Sequence, residues 1–149
     1  MKHSIAAILS LSLALLFSSC SKEAPEQAVQ LEVNRNNISG LWQLSAWNGQ
    51  SLVEGSYLYI ELVRNDETFT IWQNLDAFPE IGREITGYYS LRKELALGDI
   101  ISGKYDHDAG FWKDDYIISK LTATSMTWVS LSDPSFVQEF VRIESLPEF

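Results

Sequence analysis

The chain has one cysteine, Cys20, and beyond it one histidine, His107. A single thiol excludes an internal disulfide and a cysteine-rich zinc site. Any Ser–His–acid arrangement after Cys20 must use His107, and no serine pairs with it from sequence. Basic residues are scarce: 11 Lys+Arg stand against 20 Asp+Glu, a net charge of −9. Phosphate binding needs clustered Lys/Arg, so nucleic acid is not an expected partner. No apolar run can span a bilayer, because Ile5 to Leu16 covers only about a dozen residues where roughly 20 are needed. Helical periodicity is almost missing, and there is no internal repeat or low-complexity tract.

The N-terminus is the most informative stretch. Met1, Lys2 and His3 make a short positive start. The apolar run that follows is interrupted only by Ser10 and Ser12, and its length fits the core of a secretory signal. It ends in Leu16-Phe17-Ser18-Ser19-Cys20, which resembles the lipobox of bacterial lipoproteins: an apolar residue, two small residues, then cysteine. Phe17 stands where that family usually has leucine. The resemblance implies cleavage before Cys20 and attachment of diacylglyceryl and palmitate-type chains to that residue. More than one chain is what stable attachment requires. The expected location is the cell envelope, at the outer membrane, on its periplasmic face or the cell surface.

Residues 1–19 are thus read as a lipoprotein signal peptide, and residues 20–37 as a lipidated cysteine with a tether. Ser21 to Asn37 is polar, contains Pro25 and has no sustained apolar period, as a flexible linker would. Ser21-Lys22-Glu23 is similar in part to surface-export signals of some Gram-negative lipoproteins. A plain hydrophilic linker fits it equally, and both readings stay open. Losing residues 1–19 removes Lys2 and no acid, leaving 10 basic against 20 acidic residues. That balance keeps a domain soluble beside an anionic surface.

Residues 38–149 have the size of one domain. β-Branched and aromatic runs recur there, broken by Gly, Asn, Asp and Pro. Eight runs stand out: Leu41–Trp47, Tyr57–Val63, Thr68–Asn74, Glu84–Leu91, Asp99–Tyr105, Tyr116–Leu121, Met126–Leu131 and Phe136–Ile143. Several alternate, which places one face inward. Leu58, Ile60 and Leu62 oppose Glu61; Phe69 and Ile71 oppose Thr68 and Thr70; Phe136 and Phe140 oppose Glu139. Short gaps favour antiparallel neighbours. The expected fold is all-β, an eight-stranded antiparallel up-and-down barrel, with an open sandwich as the alternative.

Gly40-Leu41-Trp42 opens the first run, and Arg142 lies near the end of the last. In these residues the chain resembles the lipocalins, which share a Gly-x-Trp on the first strand and an arginine on the final one. It looks like the short lipocalin-like lipoproteins of Gram-negative bacteria. The resemblance implies that Arg142 packs across the Trp42 indole and closes a barrel floor, a cation–π contact. With the first strand starting at the floor, the floor turns are Arg64–Glu67, Arg92–Gly98 and Thr122–Ser125. The mouth receives Asn48–Ser56, Leu75–Arg83, Asp106–Asp115 and Ser132–Ser135. Three of those four mouth loops are long, and loops carry function.

The loop Asp106–Asp115 holds the richest chemistry. Asp106 and Asp108 with Gly110 resemble part of a calcium loop. The third ligand in step and the closing glutamate are missing, so an Asp/Gly-rich turn is expected and no metal site. Phe111 and Trp112 either fold over the mouth or pack on its rim, and rim packing is the expectation. Trp42, Tyr89, Trp128 and Phe140 are read as inward, with Trp47, Tyr88 and Trp72 on the opposite faces. No cofactor and no enzymatic activity are expected. One reading is a module holding a small hydrophobic or amphipathic ligand at the mouth, with Phe78, Phe111, Trp112, Tyr89 and Trp128 as contacts. The other is a filled barrel serving as an interaction domain in an envelope assembly, with an envelope protein as partner. The interior volume discriminates between them, since eight strands enclose a space that side chains can just fill.

Overall fold

The computed structural model describes residues 28–75, 82–107 and 110–148. Cys20 and Phe78 lie outside these, as do the signal peptide and most of the tether. A four-residue helix α1, Arg35–Ile38, precedes the strands β1 (Gly40–Trp47), β2 (Gln50–Ser51), β3 (Leu58–Val63) and β4 (Thr68–Gln73). There follow β5 (Arg83–Glu94), β6 (Gly98–Tyr105), β7 (Tyr116–Leu121), β8 (Ser125–Ser130) and β9 (Val137–Ile143). Each long strand pairs antiparallel with the next, and β9 returns to β1 with Leu41 opposite Ile143 and Trp42 opposite Arg142. This last pairing closes the sheet into an eight-stranded up-and-down barrel and rules out the open sandwich. Among the described residues closure leaves no long unpaired edge. The two-residue β2 is a spur that folds back on the end of β1 through Asn48-Gly49, both at positive φ, a two-residue hairpin signature.

The period-two pattern accounts for the packing. Ile60, Leu62 and Phe69 are each 1% exposed and point inward with Trp42, Tyr89, Trp128 and Phe140, while Glu61 and Glu139 face solvent. Trp72 lies outward, its indole N–H donating to Glu84 on the neighbouring strand. Tyr88 is also exposed.

Trp47 departs from the expected outward position. The β1–β9 register shifts between Leu44 and Ala46. A bulge of this kind inserts one residue and reverses the alternation beyond it. Trp47 therefore packs against the core, edge-on to Phe136 at 5.1 Å between ring centroids.

The packed domain also starts earlier than Ile38. The Leu31 N–H donates to the Leu121 carbonyl at the floor end of β7, and Leu31 and Val33 pack against the core. Asn34 caps α1 through its side chain, accepting from the Asn37 N–H at 2.9 Å, and Ile38 is fully buried. The last residues read as tether thus seal the barrel floor.

Candidate functional site

The floor is built around Arg142. Its guanidinium carbon lies 4.0 Å from the Trp42 ring centroid. Its three nitrogens donate to the carbonyls of Ala123 (2.8 Å), Ser39 (2.5 Å) and Asn37 (2.7 Å). The Trp42 indole N–H donates to the Ile38 carbonyl at 2.8 Å. Gly40 makes room for the arrangement: its φ is +120°, and a Cβ there would come 2.5 Å from an Arg142 nitrogen. Burial lowers the pKa of Arg142, yet a guanidinium stays charged at any ordinary pH. Gly40, Trp42 and Arg142 are one structural unit that ties the first strand, the last strand and α1 together.

The mouth is built differently. After β6 the chain turns and lies back along it: the Tyr105 N–H donates to Gly110, Lys104 bridges Phe111, and the Trp112 N–H donates to Gly103. This pairing alternates, so Phe111 and Trp112 point opposite ways. Phe111 is 72% exposed, on the outside, with the Lys104 ammonium over its ring. Trp112, expected on the rim, turns inward instead. Its indole lies on Gly103, where any Cβ would overlap it. It contacts Phe69 at 5.0 Å and Trp128 at 5.7 Å. Tyr116 stacks on Trp128 at 5.5 Å, and Phe140 follows at 4.8 Å.

Between these rings is a cavity of about 170 Å3, lined by Leu58, Ile60, Ile71, Tyr105, Trp112, Lys113, Tyr116, Trp128, Gln138 and Phe140. The Nε1 atoms of both Trp112 and Trp128 are buried and have no hydrogen-bond partner. Buried polar groups are normally paired, so two orphaned donors on rings lining one cavity are the chief anomaly of the described residues. A second compartment of about 200 Å3, holding Asp114, Ser130, Ser132 and Asp133 beside Tyr116 and Phe136, lies next to the first and shares Lys113 and Tyr116 with it. Asp114 there accepts from the hydroxyls of Ser130 and Ser132, the latter at 2.8 Å. Burial pushes the Asp114 pKa up, but these hydrogen bonds outweigh it and hold the carboxyl below its ordinary value. Burial raises the pKa of Tyr116, helped by Asp114.

Of the expected contacts, Trp112 and Trp128 meet at the cavity. Tyr89 does not line it: its hydroxyl approaches the Val63 carbonyl at 3.3 Å, toward the floor. Register explains this: Tyr88 pairs with Thr68, the first residue of β4, so Tyr89 lies at the floor end, its N–H donating to the Glu67 carbonyl. Tyr105, Tyr116 and Gln138 also line the cavity; the sequence signal for them is inward alternation on β6, β7 and β9. In the calcium-like segment, Asp106 is engaged by Thr86 at 2.6 Å and by His107 at 3.1 Å. Among the described residues no group of three His, Cys, Asp or Glu is placed to hold a metal. No family model, curated protein or solved structure matches the chain.

Proposed function

We propose that this protein is a lipocalin-like envelope lipoprotein, anchored through lipid on Cys20, whose barrel mouth holds a small amphipathic ligand. The observation that carries the ligand reading is the aromatic cavity at the mouth, lined by Trp112, Trp128, Tyr116 and Phe140, two of whose rings carry unpartnered indole donors. A ligand with an apolar ring or short chain fits the cavity as it stands, and one carrying a hydrogen-bond acceptor would bond an indole N–H once that ring turns, since both donors are sealed from a water-sized probe. The volume sets its size. An apolar cavity of ~150 Å3 takes up benzene, so about one ring fits the space between Trp112 and Phe140. A whole sterol or haem does not. A polar end would extend toward Lys113 and the neighbouring compartment. The anchor reading rests on the lipobox-like Leu16–Cys20 and on Cys20 being the sole cysteine.

A filled barrel acting as an interaction domain is the second reading. It is favoured by the same volume, which lies below the ~300–1,000 Å3 of common ligand pockets, and by the solid core beneath it.

Tryptophan fluorescence and melting temperature separate the two. Titration with single-ring carboxylates and short-chain acids is expected to shift the emission and raise the melting temperature, and Trp112→Ala is expected to abolish both responses. No response from any such compound would leave the interaction-domain reading in its place. The anchor has its own test: Cys20→Ala should move the protein from the membrane fraction to the soluble one, and a variant still firmly membrane-bound would overturn it.

A further inference from the structure

The turn between β5 and β6 is unlike the other floor turns. Leu95 is fully exposed, and Leu97 is 44% exposed. Exposed leucines at the tip of a hairpin contribute nothing to the core. Lys93 stands behind the tip with its ammonium largely in solvent, 4.0 Å from Asp99. This turn belongs to the floor end of the barrel, beside β7. The N-terminal segment leaves the barrel at the floor end of β7, where Leu31 pairs with Leu121. Val29, just before that point, is 77% exposed. From Leu31 back to Cys20 the chain spans at most ~40 Å even when fully extended. If Cys20 carries lipid, the floor lies within that reach of the bilayer, and Leu95 and Leu97 project from the end at which the tether leaves.

We infer that the Leu95–Leu97 turn is a second membrane contact, dipping into the interface of the bilayer that holds the anchor. The inference rests on the lipid-anchor reading. Each leucine moved from water into the acyl region gains the ordinary hydrophobic term. The Lys93 stem can lie along the interface with its charge at the headgroups. Tether and turn together hold the barrel floor-down with the mouth turned away from the membrane. Val53 and Phe111 are exposed at the mouth end, but the tether leaves from the floor, which makes the floor the end nearer its anchor point.

The test uses the mature, lipidated full chain on vesicles of phosphatidylethanolamine and phosphatidylglycerol. With Cys20 acylated, Ala96→Cys provides the only free thiol for an environment-sensitive dye, and Glu54→Cys provides one at the mouth. Lipids brominated along their chains should quench the dye at position 96 at least threefold more than the dye at position 54. Leu95→Ser with Leu97→Ser should remove that difference while the protein stays vesicle-bound through its anchor and melts as before. Equal quenching at both positions on bound protein overturns the membrane-contact inference and leaves the anchor reading intact. Stronger quenching at position 54 overturns it too, and reverses the orientation. A chain that takes no lipid on Cys20 and stays off the vesicles overturns the anchor reading and this inference together.

Discussion

The two ends of the barrel solve the problem of buried polar groups in opposite ways. At the floor, Arg142 spends its donors on three backbone carbonyls, and the Trp42 indole N–H has the Ile38 carbonyl. At the mouth, two indole donors are buried with nothing to bond, beside a space that no side chain fills. Both ends use tryptophan as the large packing element. The difference is satisfaction: the floor donors have carbonyl partners, while two indole donors at the mouth have none among the described residues. A closed floor fits a structural role, and the unsatisfied mouth is where the proposed ligand site lies.

The largest expected effect is at the floor. Arg142→Ala should cost about 3 kcal/mol in denaturant unfolding. A shielded cation–π contact is worth up to ~2 kcal/mol and charge-assisted hydrogen bonds ~1.5–3 kcal/mol each, partly offset by water reaching the freed carbonyls. Arg142→Lys should recover only part, since an ammonium lacks the planar fork that serves three carbonyls at once. Unchanged stability in Arg142→Ala would remove the contrast between the ends.

At the mouth, Gly103→Ala should cost roughly 1–3 kcal/mol, as overpacking commonly does, and should drive the Trp112 indole off its seat. The check is a red-shifted, more readily quenched tryptophan emission. An unshifted spectrum would mean that the strap after β6 can yield without releasing Trp112.

The sharpest comparison is between two like substitutions. Trp42→Phe removes a paired donor and strands the Ile38 carbonyl, whereas Trp128→Phe removes a donor that has no partner. Trp42→Phe should therefore be the more damaging by about 1 kcal/mol, the usual net value of one hydrogen bond. Equal losses in chemical unfolding would argue that the Trp128 donor is satisfied in solution. If a ligand bonds that donor, Trp128→Phe should weaken its binding as well.

The smallest effect concerns pH. The Asp114 carboxyl is held below its ordinary value of 3.8 because the Ser130 and Ser132 hydrogen bonds outweigh burial. A depressed folded value means that the stabilising contribution is present above pH 3.8 and disappears as the pH falls through the lower folded value. Ser132→Ala removes one of these bonds and should shrink the acid-side loss of stability. Unfolding curves between pH 5 and roughly pH 2 would read it; a steeper acid limb in the variant would contradict the assignment.

The barrel could be read from sequence because its determinants are local. Alternation in Leu58–Leu62 and Thr68–Ile71 depends on the two-residue period of the strand, and turn residues mark where each strand must stop. All eight long strands lie within a few residues of the expected runs for that reason. Gly40, Trp42 and Arg142 form a pattern legible in the sequence, but the three carbonyls that hold Arg142 come from segments brought together around it only by closure of β9 on β1. What the linear order hid was decided by single-residue shifts and by summed volumes. One extra residue near Ser45 turned Trp47 inward, and no composition signal marks such a bulge. The direction of Trp112 depends on pairing with Gly103, which has no side chain to oppose the indole. The size of the cavity depends on how side chains from most of the strands fill one space at crystal-like density. Local periodicity therefore determined the architecture, and only the closed tertiary structure decided which rings fill the mouth and what room they leave.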